Sequence, residues 1–134
     1  MSNKVIIGLG ISLFLFIVSC NSSPYAQGER LYRSYCQNCH MNDGSGLKKL
    51  IPPLNNADYL QKYPEKVACL IRNGINEKIK VNGTFYEQAM PGYPELTEAQ
   101  VTNIINYVNN SWDNSIGFTP LDSVFIWLDD CKVY

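Results

Sequence analysis

CQNCH, residues 36–40, packs two cysteines and the chain's single histidine into five positions. Two thiols and an imidazole at this spacing serve three kinds of chemistry. A Cys-x-x-Cys pair works as a redox dithiol when it sits beside a βαβ pattern, and none surrounds these residues. A structural zinc wants four ligands, yet no other histidine exists, and Cys69 and Cys131 stand alone downstream. Covalent haem attachment adds the two thiols to vinyl groups and lets the adjacent histidine bind iron. The five residues favour haem; the neighbouring sequence has to complete the site.

Working outward, Ser23 is placed to cap a helix and Pro24 suits a first turn, with no proline from Tyr25 to Cys36. Gly28, Tyr32 and Cys36 recur every four residues and share one face. A glycine costs helix stability there unless another helix crosses closely. The expected partner is TEAQVTNIINYVNNSW, residues 97–112. Thr97 and Gln100 form a capping box. Val101, Ile104, Ile105, Val108 and Trp112 fall at helical spacing, with Tyr107 at the edge of the stripe.

Iron held by one histidine leaves a second axial position, and His40 is the only histidine. Methionine is the usual alternative. Of the three methionines, Met1 opens an export segment and Met41 is the backbone neighbour of His40, on the wrong side of the ring. Met90 remains, in QAMPGYPEL, residues 88–96, where two prolines and a glycine predict a loop. The alternative is that Met90 is apolar filler and the iron position stays open.

These stretches together resemble a small monohaem c-type cytochrome of the His/Met kind. The resemblance covers roughly residues 25–114 and rests on GERLYRSYCQNCH, IPPLNNADYL, AMPGYPELTEAQVTNIINYV and NNSW, in that order. It implies an all-α fold of about four to five helices around one covalent haem c. It also implies that the carbonyl of Pro52 accepts the outer imidazole proton of His40 while Leu54 rests on the ring. VNGTFYEQAMP, residues 81–91, resembles the cytochrome domains associated with nitrite reductases and oxidases, where a short β-hairpin precedes the methionine. The Asn82-Gly83 pair suits a two-residue turn. Tyr59, Arg72 and Asn82 are candidates for the haem propionates on polarity and position alone.

Two features depart from the smallest members of that family. Cys69 lies in PEKVACLIRNG, a helix expected to end at Gly74, and Cys131 lies in a tail beyond Trp112. Within that tail Thr119 is placed to cap, Pro120 suits the first turn, and Leu121, Val124, Leu128 and Cys131 share a face. A Cys69–Cys131 disulfide would pin the tail to the domain and stabilise it by about 3–4 kcal/mol; the alternative is two free thiols. The second departure is the lack of an evident basic patch. Lysines 48, 49, 62, 66, 78 and 80 are scattered among acids, with Lys48 and Lys49 nearest the expected haem edge.

The chain has 134 residues, 46% hydrophobic and 17% charged, enough for one small domain with extensions. Lys4 precedes an uncharged run from Val5 to Val18 that is short for a membrane span and reads as an export signal. It closes IVSC, residues 17–20, which resembles a bacterial lipobox with Cys20 as the lipidated residue. Residues 1–19 are thus expected to be removed, 20–24 to form a lipidated tether, 25–114 the cytochrome domain and 115–134 a helical extension. Without residues 1–19 the chain keeps ten basic and twelve acidic side chains, a formal charge of −2. That balance speaks against nucleic acid as a partner.

A haem with two protein ligands exchanges single electrons and leaves no position for substrate, so no enzyme is expected. The expected function is a membrane-anchored one-electron carrier in a respiratory chain. Its partners would be a terminal oxidase, a nitrite reductase or a quinol-oxidising complex. Alternatives are a cytochrome subunit fixed in an oxidase or nitrite reductase complex and, with a labile Met90 bond, a haem sensor.

Overall fold

Gly28 decides how the motif helix meets the rest of the molecule. In the computed structural model, which describes residues 23–131, α1 spans Ala26–Tyr35. A Cβ on Gly28 would collide with the backbone carbonyl of Asn103 and with Cβ of Tyr107. The bare backbone lets α5, Glu98–Asn109, cross α1 at that point. Tyr32, one turn further on, is fully buried and stacks against Tyr107 at 5.3 Å and Trp112 at 5.4 Å between ring centroids.

α5 begins as its sequence requires. Thr97 Oγ1 accepts the Gln100 amide at 3.3 Å, and Gln100 Oε1 accepts the Thr97 amide at 2.8 Å. Val101, Ile104, Ile105 and Val108 are buried. Trp112 is not on this stripe, because the helix stops at Asn109. The Asn110 side chain donates to the carbonyls of Asn106 and Gly117, and Ser111 Oγ to that of Tyr107. Side chains thus take carbonyls that a further turn would have used. Trp112 sits beyond them at φ 56° and donates to the Asn42 carbonyl at 3.1 Å.

Between α1 and α5 lie α2 (Gln37–His40), α3 (Asp58–Lys62) and α4 (Pro64–Asn73). Two small antiparallel ladders follow. β1 (Gly74–Ile75) pairs with β4 (Met90–Pro91), and β2 (Ile79–Val81) with β3 (Thr84–Tyr86). The expected hairpin is present: Asn82 and Gly83 turn it with φ of 49° and 80°, both positive, as a primed turn needs. Lys62 and Lys66 lie over the Tyr63 ring, and Lys78 and Lys80 over the Phe85 ring, at 4.9–5.6 Å from the ring centres. Four of the six lysines scattered in sequence are therefore gathered in pairs on aromatic faces.

Two expected caps are corrected. Ser23 does not cap α1. Its hydroxyl accepts the Tyr25 amide at 3.2 Å, two residues on, so a turn precedes the helix. Thr119 does not cap α6, Leu121–Asp129, whose start has no side-chain cap. Its amide donates to Asn106 Oδ1 at 2.7 Å, its carbonyl accepts from Asn106 Nδ2 at 2.9 Å, and its hydroxyl accepts from Asn109 Nδ2 at 3.2 Å. The hydroxyl is committed to a buried network with α5 instead.

α6 rests on α4 and α5 with Val124 fully buried. Cys69 of α4 and Cys131 after α6 are joined by a disulfide, with Cα atoms 5.6 Å apart. Leu121, expected on the buried face, is exposed. Among the described residues five helices, two of them short, lie within the cytochrome domain, as expected, and α6 is the helical extension. Among the described residues no helix is long and apolar enough to cross a membrane. The expected signal at 1–19, Cys20 and most of the expected tether lie outside the described residues.

Candidate functional site

The 36–40 motif forms a single tight turn of chain. The amide of His40 bonds the Cys36 carbonyl at 2.9 Å, and Met41, at φ 64°, turns the backbone away. Residues 42–56 then fold back beneath the histidine. The Gly46 amide reaches the His40 carbonyl at 3.1 Å, and the amides of Leu54 and Asn55 both reach Gly44 O, at 2.7 and 3.0 Å. Gly46 has φ 68°, and a Cβ there would lie 2.6 Å from the Pro52 carbonyl oxygen. Only glycine fits where the loop closes on itself.

That closure places Pro52 O at 3.1 Å from His40 Nδ1. A carbonyl only accepts, so Nδ1 carries the proton and Nε2 keeps its lone pair. Burial lowers the His40 pKa from its ordinary value, and the bond to Pro52 only partly opposes this. The imidazole is therefore held in its neutral, ligating form.

A single apolar cavity brings the separated residues together. Cys36, Cys39, His40, Pro52, Leu54 and Met90 all line it. Ile104, Ile105 and Val108 of α5 and Leu70 and Ile71 of α4 supply further walls. Met90 is not in a free loop as expected, because β4 pairs it with Ile75. Tyr59 also lines the cavity. Arg72 and Asn82 do not: Arg72 bonds Glu98 at 3.3 Å, and Asn82 exchanges bonds with Asp58 at 2.7 and 2.9 Å.

Two residues that the sequence reading passed over hold the walls in place. Tyr93 Oη donates to the Tyr35 carbonyl at 2.7 Å, tying the methionine segment to α1. Asn114 donates to the carbonyls of Leu54 and Val108 at 2.9 and 2.8 Å and accepts the Asn56 amide at 2.8 Å. Its fork stitches the proline loop to the end of α5. Their only sequence signals were an aromatic three residues after Met90 and an asparagine just past a helix end.

The chemistry of the donor set separates the three readings of the motif. Burial, then the neighbouring Cys39, pushes the Cys36 thiol up to about 12. An exchanging dithiol needs a thiolate poised near or below neutrality, and this environment does the opposite. Among the described residues no group of three or more His, Cys, Asp or Glu side chains converges as a metal cage, so nothing there supports the zinc reading. What fits is a large apolar ring. Aliphatic side chains face the cavity, two unpaired thiols stand on one wall, and one sulfur and one imidazole donor line it.

Residues 23–108 match the family described as cytochrome c oxidase, cbb3-type, subunit III. The chain is 32% identical over 100 residues to the cytochrome c subunit of alcohol dehydrogenase (quinone) from Gluconacetobacter polyoxogenes, covering 73% of this chain and 21% of that protein. It is 26% identical over 102 residues to cytochrome c-552 of Thermus thermophilus, covering 71% and 77% of the two. The chain thus spans about a fifth of the dehydrogenase subunit and most of the small cytochrome. With the motif, the apolar cavity and this family match in agreement, the chain belongs to the monohaem c-type cytochromes, electron carriers with covalently attached haem c.

Proposed function

We propose that this chain is a membrane-anchored carrier of single electrons in a respiratory chain, in which Cys36 and Cys39 would hold the haem through thioethers and His40 and Met90 would bind its iron. One observation carries the reading: His40 and Met90, fifty residues apart, line the same apolar cavity while the outer nitrogen of His40 is engaged by Pro52. When bound, the haem supplies reversible one-electron exchange between ferrous and ferric iron. The rest is the work of this chain's residues. Pro52 orients the imidazole and raises its donor strength. The Met90 thioether favours ferrous iron more than a second imidazole would and so raises the potential. Leu54 and the aliphatic walls keep water from the ring. Two protein ligands on the iron would leave no position for a substrate, so the reading is a carrier rather than an enzyme.

Export and anchoring belong to the same reading. The Val5–Val18 run, the lipobox-like IVSC and the Cys69–Cys131 disulfide all favour an oxidising compartment outside the cytoplasm. Lipidation of Cys20 would hold the domain at a membrane, facing the periplasm or the cell exterior, and confine its search for partners. A terminal oxidase, a nitrite reductase or a quinol-oxidising complex would suit as donor or acceptor. The second reading, a cytochrome subunit fixed within such a complex, is favoured by the exposed apolar side chains of α6. A sensor would need Met90 to leave easily.

The test is an optical spectrum of the matured chain and of Met90→Ala, each with and without carbon monoxide. A low-spin wild type that ignores carbon monoxide beside a mutant that binds it is the expected result. Prompt binding by the wild type would replace the carrier reading with a sensor.

A further inference from the structure

The outward face of α6 has no partner among the described residues. Phe118 is 72% exposed, Phe125 61%, Ile126 57% and Leu121 47%. None of the four lines the haem cavity, so loading the cofactor leaves them bare. A small monomer rarely presents so many large apolar side chains together unless something covers them.

The helix is also held rigidly in this pose. The disulfide fixes its end to α4, Val124 is fully buried, and Thr119 is locked to Asn106 and Asn109 of α5. With about 100° between successive residues, Val124, Leu128 and Trp127 turn toward the domain. Leu121, Phe125, Asp129, Asp122 and Ile126 follow one another, in that angular order, across the opposite side. Asp122 and Asp129 are exposed and have no ion-pair partner among the described residues. The face is therefore apolar at both edges with two carboxylates in its middle.

This charge pattern selects the occupant. A bilayer would have to take both carboxylates into its interface at the centre of the contact, because the helix's other side is already packed on protein. A two-fold pairing of copies would set the same acids against one another. A different protein with an apolar groove carrying lysine or arginine satisfies both parts, and a rigid helix meets it without an ordering cost. We propose that Phe118, Leu121, Phe125 and Ile126, with Asp122 and Asp129, form the docking face for a subunit of a membrane oxidoreductase, which binds α6 in a cationic apolar groove. This rests on the one-electron role of the haem and on the second reading, a cytochrome subunit held within a complex, and specifies the surface that holds it.

The test uses the full chain in its own cells, with p-benzoylphenylalanine introduced in place of Phe125 and, as a control, in place of Phe85, which is also exposed. Irradiation should link position 125, and not position 85, to one polypeptide different from the chain itself, at a peptide containing lysine or arginine. Adding Asp122→Lys and Asp129→Lys should cut that yield at least tenfold while the haem spectrum and the disulfide stay intact. Lipid adducts alone, a product of twice the chain's mass, no product, or a yield indifferent to the charge reversal would each overturn the docking face. Carbon monoxide binding by the unsubstituted chain would instead overturn the carrier reading, whatever the crosslinks show.

Discussion

The two walls of the haem cavity are built differently. The histidine wall is mainly local: Cys36 to Asn56 fold on themselves, closed by backbone bonds from Gly46, Leu54 and Asn55 and by the Pro52 carbonyl on His40, with Trp112 and Asn114 bracing it from beyond α5. The methionine wall is assembled from afar. Met90 is placed by a two-residue ladder to β1, by Tyr93 reaching Tyr35 across 58 residues, and by α4, itself pinned to α6 by the disulfide. A wall that closes on itself resists perturbation elsewhere and fails when its own turn is spoiled. A wall made of distant contacts loosens piece by piece. The histidine side should therefore behave as fixed and the methionine side as adjustable.

The largest expected effect comes from spoiling the closed turn. Gly46→Ala puts a methyl group against the Pro52 carbonyl at positive φ and should cost about 3–5 kcal/mol in denaturant unfolding. Gly83→Ala shares the positive φ but has no neighbouring atom within 4 Å, so strain alone should cost about 1–2 kcal/mol. Equal costs at the two sites would break the comparison, since the histidine loop would then be as adaptable as an open hairpin. Next, replacing Cys69 and Cys131 by serine removes a link across 62 residues and should cost about 3–4 kcal/mol. The diagnostic is which ligand goes first on heating: carbon monoxide should gain access to the iron before the His40 side changes.

Smaller probes address one bond set on each wall. Asn114→Ala removes the bonds it makes to the Leu54 and Val108 carbonyls and to the Asn56 amide and should cost about 2 kcal/mol. Tyr93→Phe removes one bond and should cost about 1 kcal/mol. Despite the smaller cost, Tyr93→Phe should be the variant that speeds carbon monoxide binding, because it frees the methionine segment from α1. If Asn114→Ala does so instead, the assignment of the two walls is reversed.

The same contrast explains what could be read from the sequence. CQNCH is contiguous, so a haem-attachment reading could be drawn from five residues, and counting the methionines singled out Met90, which lines the same cavity. The capping box at Thr97 and the Asn82-Gly83 turn were legible because their bonds span three residues or fewer. Pro52 and Leu54 came only through resemblance, since nothing local marks a carbonyl as the acceptor for a histidine. Tyr93 and Asn114 act over 58 to 60 residues and carry no local signature. Thr119 shows how a local rule misleads. A threonine before a proline reads as a cap, but buried Asn106 and Asn109 need partners, and satisfying them outweighs capping an exposed helix start. Trp112 kept helical spacing past the point where Asn110 and Ser111 had already closed the helix.

The last effect is a pH dependence, absent near neutrality, that touches the histidine wall alone. Tyr32 is fully buried and donates to the Met41 carbonyl at 2.6 Å, just where the chain turns away from His40. Burial, with lesser contributions from Cys36, Tyr107 and Asp43, raises its pKa well above the ordinary 10.0. An unfolded chain releases this proton near pH 10 while the folded chain keeps it, so the unfolded state binds fewer protons above that pH. The contribution of Tyr32 is thus fully present below pH 10 and falls as pH rises, by at most about 1.4 kcal/mol per pH unit until the folded group also ionises. Tyr32→Phe should flatten unfolding free energy against pH between 10 and 11 relative to the wild type. It should leave carbon monoxide exclusion unchanged, because the Met90 side does not depend on this bond. If Tyr32→Phe lets carbon monoxide in at neutral pH, the two walls are coupled through α1, and the histidine side is no more self-contained than the methionine side.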